Sequence, residues 1–285
     1  MGNRIRNLLL NNGHSLVGIT HSKQHKNNPE SGITYIQIDI SKKEEFDKLN
    51  GHTFDAIIHT AAYISFENNK ESLKKCFDTN ILGTLNMLNY ARNKDIRHFI
   101  YSSSVSVYSE NINKILTEEN DCSPSSYYSI SKLMGEFFCR EFQEIDCCIF
   151  RYGGMYGNGG NHGVSIMEFL KRILEKRKII LFNKNSSRNY LYVKDAALAN
   201  LFSIENNLIG TYNIVSDECL KIIEIVRIMA EAFKDYSPQI EHSHDEAKND
   251  LIYDVSKFKC KCRNFPQYSF KRSIYDMKSE MENIL

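Results

Sequence analysis

Apolar, β-branched runs alternate with stretches of helical periodicity through the first two hundred residues. These runs predict strands, and the stretches between them predict helices. The predicted strands are residues 15–20, 34–38, 56–60, 98–101 and 147–152, and the predicted helices are residues 4–11, 42–49, 72–94 and 128–144. A strand–helix–strand rhythm requires crossover connections, and continuous apolar runs are typical of strands buried on both faces. The sequence therefore predicts an α/β fold with a doubly wound parallel sheet.

The pattern changes after Tyr152. The glycine-rich stretch GGMYGNGG, beginning at Gly153, predicts a flexible loop. Further helices are predicted at residues 165–176 and 221–233, a strand at 178–182, a helical stretch within 191–204 and a strand at 211–214, while the last fifty residues are mixed and polar. We expect a smaller lobe on the carboxyl side of the sheet, where doubly wound folds place their ligand cleft.

Composition excludes several function classes. The 285 residues are 42% hydrophobic and carry a formal charge of +1, which creates no strong field for nucleic acid or a membrane surface. No apolar run approaches the roughly 20 residues of a membrane span, and the first residues lack the pattern of a signal peptide. Eight cysteines without a CxxC pair are typical of thiols in a reducing compartment. We therefore expect a cytoplasmic protein.

The sequence predicts no metal site. The run EHSHDE at residues 241–246 has suitable ligand types, but it lies in a polar stretch typical of a solvated loop. Cys260 and Cys262 lack the second pair of ligands that a zinc site needs. His59, within a predicted strand, is interpreted as a structural histidine rather than a base.

The clearest chemical signal is Tyr128-Ser-Ile-Ser-Lys132 at the start of a predicted helix. Positions four apart share a helix face, so the Lys132 ammonium can lie beside the Tyr128 phenol and lower its pKa from about 10. A phenol tuned in this way can act as a general acid or base at an alcohol. Taken alone, this spacing occurs by chance in many helices.

Two strand ends supply the context for this pair. One predicted strand runs into YSSSVSVY, which places the Ser104 hydroxyl at the mouth of the expected cleft. Another, FDAIIHTAA, ends in small residues that let a flat ligand approach the backbone. A serine run at a strand end is by itself usually a turn, and it is the combination that indicates a site.

Several motifs in a fixed order resemble the extended short-chain dehydrogenase/reductase family, in its NAD-dependent epimerase/dehydratase branch of UDP-galactose 4-epimerase type. They are GITYIQIDI, FDAIIHTAA, NILGT, FIYSSSVSVYS, YYSISKLMGE, CIFRYGGMYGNGG, RNYLYVKDAALA and GTYNIVS. The resemblance covers nearly the whole chain. It implies a Rossmann-type dinucleotide-binding domain at residues 1–157 and 188–216, and a C-terminal substrate-binding lobe at residues 158–187 and 217–285.

The resemblance implies a catalytic triad. Ser104 would orient the substrate oxygen, Tyr128 would exchange a proton, and Lys132 would lower the pKa of Tyr128 and hold the nicotinamide ribose. The implied cofactor-binding residues are Gly2, Asp39, Ile40, Thr60, Ala61, Ala62, Asn80 and Ser102, together with Tyr128 and Lys132. Arg188 would join Ser104 in binding substrate, because the planar guanidinium suits a nucleotide diphosphate.

The chain departs from the family pattern at its beginning. Aligning Gly13 with the usual end of the first helix places Gly2 on the third glycine of the GxxGxxG phosphate loop, so the first strand and two glycines are missing. A start assigned too late and a decayed paralogue both explain this. The intact triad favours the late start.

Two more departures concern substrate and cofactor. Val105 occupies the position where dehydratases of this branch carry an acid, which disfavours elimination chemistry, and Gly154 replaces a substrate-contacting asparagine. Thr20 stands where NAD enzymes usually have an acid, and His21, Ser22 and Lys23 follow it. NADP is thereby slightly favoured over NAD, and both remain open.

We therefore expect an NAD(P)-dependent epimerase or ketoreductase of a nucleotide-activated sugar. The alternative is a non-catalytic relative that senses the dinucleotide or acts as a scaffold, which the missing glycine loop favours. Because helices equivalent to residues 72–94 and 128–144 pair across subunits in many relatives, the resemblance also implies a homodimer.

Overall fold

The computed structural model describes residues 1–21, 33–65, 67–108, 114–159, 165–233, 240–242 and 250–282. These residues divide into two units. The first comprises the described residues of 1–109, 121–151 and 197–212, and the second those of 110–120, 152–196 and 213–285. The division into the two domains expected from the sequence stays a prediction.

Helices and strands alternate along most of the described chain. The helices are α1 (Gly2–Asn11), α2 (Lys70–Lys75), α3 (Gly83–Asn93), α4 (Tyr127–Glu141), α5 (Ser165–Leu174), α6 (Val193–Asn206), α7 (Ile222–Ala232), α8 (Ser256–Lys259) and α9 (Phe270–Glu282). The strands are β1 (Leu16–Thr20), β2 (Ile33–Gln37), β3 (Ala56–His59), β4 (His98–Ser104), β5 (Ile115–Leu116), β6 (Asp146–Tyr152), β7 (Met155–Tyr156), β8 (Ile179–Leu181), β9 (Ser187–Arg188), β10 (Leu191–Tyr192), β11 (Gly210–Ile214), β12 (Leu220–Lys221), β13 (Ile240–His242) and β14 (Ile252–Tyr253).

Two sheets organise the first unit. One has four strands in the order β11, β6, β4, β3, and β3 pairs with β4 in parallel. The other contains β1 and β2, which also pair in parallel. Strand β4 is buried from His98 to Ser103, as expected for a strand covered on both faces.

The core of this unit has two parts. On one side α1 packs Ile5 and Leu9 against Ala197 and Leu201 of α6. On the other, a larger cluster joins α3, α4 and the central strands; its fully buried members include Leu88 and Phe99. Helices therefore cover both faces of the strands, which is the layered arrangement predicted from the sequence.

A cavity of about 350 Å³ lies between β1 and β3. Every residue of both strands lines it, and α1 contributes Gly2, Ile5 and Leu9. The two strands belong to different sheets, so the cavity lies where the sequence analysis expected a strand to be missing.

The helix predicted at residues 72–94 is continuous but irregular. It begins as α2, widens to a π-helix over Cys76–Leu82, and continues as α3. The helix predicted at residues 42–49 is a 3₁₀-helix over Lys43–Leu49.

Short strand pairs and helices build the second unit. The pairs β5–β14, β7–β10 and β8–β13 are parallel, and β9–β12 is antiparallel. Helix α9 was not expected from its polar sequence, but it buries Phe270, Ile274 and Met277 on one face, at spacings of four and three. Among the described residues, no helix has the length and apolar character to cross a bilayer.

Candidate active site

The amino end of α4 is held by a reciprocal pair of serines. The Ser129 backbone N–H donates to Ser126 Oγ at 3.1 Å, and the Ser126 backbone N–H donates to Ser129 Oγ at 3.0 Å. Such a capping box satisfies two backbone donors that have no partner within the helix. It fixes the first turn of α4, which carries Tyr128.

Lys132 lies one helical turn after Tyr128 and is only 2% exposed. Its Nζ donates to the Ser102 carbonyl oxygen at 2.8 Å and lies 5.9 Å from the centre of the Tyr128 ring. It also lies 5.2 Å from the ring centre of Tyr101. Because burial disfavours the charged form, the pKa of Lys132 is lowered to about 8.

Ser104 ends β4 and meets Tyr128. The Ser104 and Tyr128 hydroxyls share a hydrogen bond. Ser104 Oγ also accepts from the backbone N–H of Ser106 at 3.1 Å and from Ser106 Oγ at 2.9 Å. The structure thus brings the three predicted triad residues to one place, the carboxyl end of β4.

The expectation that Lys132 lowers the pKa of Tyr128 is wrong in this structure. Burial raises the pKa of Tyr128 to about 12, and the hydrogen bond from Ser104 offsets only part of that rise. The physical reason is the direction of the ammonium, whose hydrogen bond goes to the Ser102 carbonyl. At neutral pH the phenol therefore carries its proton.

The strand end fits the polar end of a dinucleotide. Ser102 is 5% exposed, and its Oγ has no hydrogen-bond partner within the described part of the chain. Buried hydroxyls are nearly always satisfied, so this atom is suited to a polar group of a bound molecule. Beside it lie the Lys132 ammonium and the Tyr128 phenol, two further donors for such a group.

Asn80 links this site to the strand end of β3. Its Oδ1 accepts from the Tyr63 backbone N–H at 2.7 Å, and its Nδ2 donates to the Tyr63 carbonyl at 2.9 Å. Nδ2 also donates to Ser131 Oγ at 2.8 Å. These bonds tie the turn after Thr60–Ala62 to the residue that precedes Lys132, so a direct contact of Asn80 with a cofactor stays a prediction.

The other predicted cofactor residues lie around β2, β3 and α1. A Cβ added at Gly2 would lie 3.9 Å from Thr60 Oγ1, and both residues line the cavity with Ala61. Asp39 follows β2; hydrogen bonds from Ser41 to its Oδ1 are the main cause of its lowered pKa. Ile40, buried, packs beside Gly83.

Some predicted residues are not brought to this place. Arg188 is in β9 of the second unit, where its Nη1 donates to the Ser187 carbonyl at 2.9 Å, so its role stays a prediction. Ser22 and Lys23, on which part of the NADP expectation depends, lie outside the described residues, as do positions 243–249 of the acidic and histidine-rich run. Within the described ranges no group of three or more His, Cys, Asp or Glu side chains could hold a metal ion.

His59 is a structural residue, as interpreted from the sequence. It is 2% exposed, and its Nε2 lies 3.0 Å from Thr84 Oγ1. Burial, with a smaller contribution from the Lys132 charge, lowers its pKa to about 3. The imidazole is therefore neutral at physiological pH.

Sequence reasoning missed a buried charge network directly beneath the site. Glu136, one turn after Lys132, is fully buried and accepts hydrogen bonds from Ser103 Oγ at 2.6 Å and Arg151 Nη2 at 2.7 Å. Arg140 donates to the same carboxylate, and Arg151 also donates to the Tyr108 hydroxyl at 2.8 Å. The four-residue spacing of Lys132, Glu136 and Arg140 was the available signal.

Gly135 allows α4 to approach β4 closely. A Cβ built at this position would lie 2.1 Å from the Tyr101 hydroxyl oxygen and 2.4 Å from its Cζ. No side chain fits at that distance, so glycine is required for the contact that presses Lys132 against the strand.

Comparison with known proteins agrees with this geometry. The family model described as "NAD dependent epimerase/dehydratase family" matches residues 1–215. A protein of Methanocaldococcus jannaschii named "Putative UDP-glucose 4-epimerase" is 30% identical over 214 residues, covering 72% of this chain and 70% of that protein.

Two solved structures share the fold. The UDP-glucose 4-epimerase of Thermus thermophilus, in complex with NAD, has a TM-score of 0.85 and 21% identity, covering 100% of this chain and 96% of that one. The UDP-N-acetylglucosamine 4-epimerase of Methanobrevibacter ruminantium, in complex with UDP-N-acetylmuramic acid, has a TM-score of 0.86 and 23% identity, covering 100% and 95%. The α/β, Rossmann-type fold expected from the sequence is confirmed. The chain belongs to the NAD-dependent epimerase/dehydratase family.

Proposed function

We propose that the chain is an NAD(P)-dependent epimerase or ketoreductase acting on a nucleotide-activated sugar. The observation that carries this proposal is the meeting of Ser104, Tyr128 and Lys132 at the carboxyl end of β4, next to the unpartnered Ser102 hydroxyl. These groups supply a proton donor, a hydroxyl to orient an oxygen, and a buried cation.

Each residue has a distinct task in this proposal. Tyr128, with a pKa raised to about 12, holds a proton that it can donate to a carbonyl oxygen of the substrate. Ser104, already bonded to the phenol, orients that oxygen. Lys132 stays fixed by its bond to the Ser102 carbonyl and stabilises the phenolate left after donation. A bound nicotinamide would supply hydride transfer at the adjacent carbon.

The protonation state bears on which reaction is favoured. A phenol that keeps its proton at neutral pH is ready to donate it, which is the direction of ketone reduction. Epimerisation also requires Tyr128 to accept a proton from an alcohol, which a pKa of about 12 opposes less once positive charge is added near the ring. The two reactions therefore remain alternatives within one site.

The residue after Ser104 limits the chemistry further. Val105 is apolar, only 9% exposed, and begins the 3₁₀-helix Val105–Val107. It offers no carboxyl to protonate a leaving hydroxyl, which argues against a dehydratase. On the substrate side, we assign Arg188 to the nucleotide diphosphate, and residues 158–187 and 217–285 to the substrate lobe.

Incubation with a panel of UDP- and dTDP-sugars tests the activity. With NAD⁺ or NADP⁺ present, chromatography of the sugar nucleotides would detect an epimer; with 4-keto sugars, loss of reduced nicotinamide absorbance would detect reduction. Tyr128→Phe should lower turnover by about 10²–10⁴-fold, while Tyr127→Phe, the same change one residue earlier, should leave it nearly unchanged. Absence of turnover on every substrate, with cofactor bound, would reject the enzyme proposal.

A second candidate is a non-catalytic relative that senses the dinucleotide or acts as a scaffold. The cavity between β1 and β3 favours it, because α1 then begins beside an unfilled space rather than a packed strand. In that case NAD(H) or NADP(H) would raise the melting temperature without turnover, and Tyr128→Phe would bind the dinucleotide as the parent does.

The cofactor proposal stays between NAD and NADP. The Thermus thermophilus structure is a complex with NAD, and a structure of RMD from Pseudomonas aeruginosa, with a TM-score of 0.79 and 20% identity, contains NADPH. Thr20 ends β1 without a carboxylate for the ribose 2′-hydroxyl, which favours NADP.

We also propose a homodimer. Ile130, Met134 and Phe137 are 46%, 42% and 52% exposed at helical spacing along α4, and Leu73 and Phe77 are exposed on the helix packed against it. An apolar stripe of this kind marks an association surface. Sedimentation velocity should give a dimer, and Phe137→Glu a monomer, while Phe182→Glu at an exposed position of the second unit should stay dimeric; a monomeric parent contradicts the proposal.

The cytoplasm is the proposed location. All eight cysteines lie in the described residues, and none forms a disulfide, as expected in a reducing compartment.

A further inference from the structure

The cavity between β1 and β3 has the form of a slot for one more strand. Its lining includes consecutive residues along each strand, from Leu16 to Thr20 and from Ala56 to His59. Consecutive residues of a strand point to opposite faces, so the cavity lies at the strand edges rather than on one face of a sheet. α1 borders it on one side, and Met87 and Tyr90 of α3 border it on the other.

The facing edges have backbone groups to offer. In a parallel ladder each strand directs half of its N–H and C=O groups to either side, and in the described structure β1 pairs only with β2 and β3 only with β4. The Tyr90 hydroxyl, on a side chain 8% exposed, also lacks a hydrogen-bond partner among the described residues.

Burial shows the same incompleteness. The apolar strand β3 is only partly buried at residues 56–58, and Ile19 of β1 is 36% exposed, whereas the neighbouring β4 is buried along nearly its whole length. The sequences LVGIT and AIIH are typical of central strands, and central strands have a neighbour on each side.

The direction of the missing neighbour follows from α1. The amino end of α1 lies at the carboxyl end of β3, because Gly2 is beside Thr60. Its carboxyl end leads through a short turn to Leu16, the start of β1, and Leu9 packs near both Leu16 and Ile58. Both strands therefore run antiparallel to α1 and parallel to each other.

We propose that an extended apolar strand of about five residues, leading directly into the amino end of α1, fills this slot in parallel with β1 and β3. This is polypeptide that precedes Met1. A strand in the slot ends at the same edge where α1 begins, so a short loop joins them, and α1 returns the chain to β1 as a crossover unit. The inference concerns the fold and does not rest on the proposed activity.

Amide hydrogen exchange tests the slot. The chain is compared with a version extended before Met1 by five β-branched residues and a short glycine-containing loop, and with the same extension carrying proline at two strand positions. The first extension should slow exchange in Leu16–Thr20 and Ala56–His59 at least about tenfold and raise the melting temperature. Because proline cannot donate to a ladder, the control extension should do neither, and β4, already paired, should change little.

The mass of the protein isolated from its natural source gives a second measurement. An intact mass above 33.0 kDa, with peptides that end at Met1, supports the proposal. An intact mass of 33.0 kDa would overturn it. Equal exchange of β1 and β3 in the two extended versions would also overturn it, whatever the activity of the protein.

Discussion

Replacing Glu136 by glutamine should destabilise the first unit strongly. The carboxylate is fully buried and binds Arg151 and Arg140, each at 2.7 Å, as well as Ser103 at 2.6 Å. Glutamine keeps the shape but removes the charge, and it leaves the Arg151 guanidinium, 3% exposed, without a counter-ion. Breaking a buried pair in this way costs about 3–5 kcal/mol. At about 2–4 °C per kcal/mol in chains of this size class, the melting temperature should fall by about 6–20 °C.

Calorimetry and urea unfolding of a double-mutant cycle measure this effect. Arg151→Met alone leaves the carboxylate buried beside Arg140 as its remaining counter-ion, while Glu136→Gln with Arg151→Met removes both charges of the central pair. The double variant should be less destabilised than the sum of the single variants. Glu71→Gln, in the exposed pair with Lys75, is the matched control and should not change the stability measurably. A loss below about 1 kcal/mol for Glu136→Gln, or additive single variants, would refute the reasoning.

Two further predictions concern the same helix. Lys132→Met should raise the free energy of unfolding at pH 7 by up to about 3 kcal/mol, because burial lowers the lysine pKa from 10.5 to about 8. In the parent this penalty is complete below pH 8 and disappears as the pH rises towards 10.5, where the unfolded chain also loses the proton; urea unfolding of both proteins across this range should show the gap closing, and a constant gap contradicts the assignment. Gly135→Ala should cost about 1–3 kcal/mol, because its methyl group would meet the Tyr101 hydroxyl at 2.1 Å, whereas Gly2→Ala, with 3.9 Å to its nearest neighbour, should cost little; equal melting temperatures for the two variants would show that the helix shifts without strain.

The sequence predicted what depends on local spacing. Tyr128 and Lys132 are four residues apart on α4, so their common face followed once the helix was recognised. Ser104 followed from the end of an apolar strand. The missing strand before α1 was predicted from the family motif, and the cavity beside β3 occupies its place.

What the sequence did not predict depends on contacts between distant residues. Glu136 is buried because Ser103 and Arg151, from two different strands, converge on it, and no local pattern announces that convergence. The pKa of Tyr128 was expected to fall and rises, because the Lys132 ammonium bonds to a carbonyl of β4 instead. The direction of a side chain towards one of two partners is a property of packing rather than of spacing.

The π-helical stretch Cys76–Leu82 separates the folding of its helix from the alignment of the site. Wide turns of this kind hold roughly one residue more than an α-helix would over the same rise. A natural variant lacking one residue here would form an ordinary helix with its backbone ladder intact. Asn80, however, would rotate by about 100° away from Tyr63 and Ser131. Length differences within these seven positions among relatives should thus alter catalysis while leaving thermal resistance almost untouched.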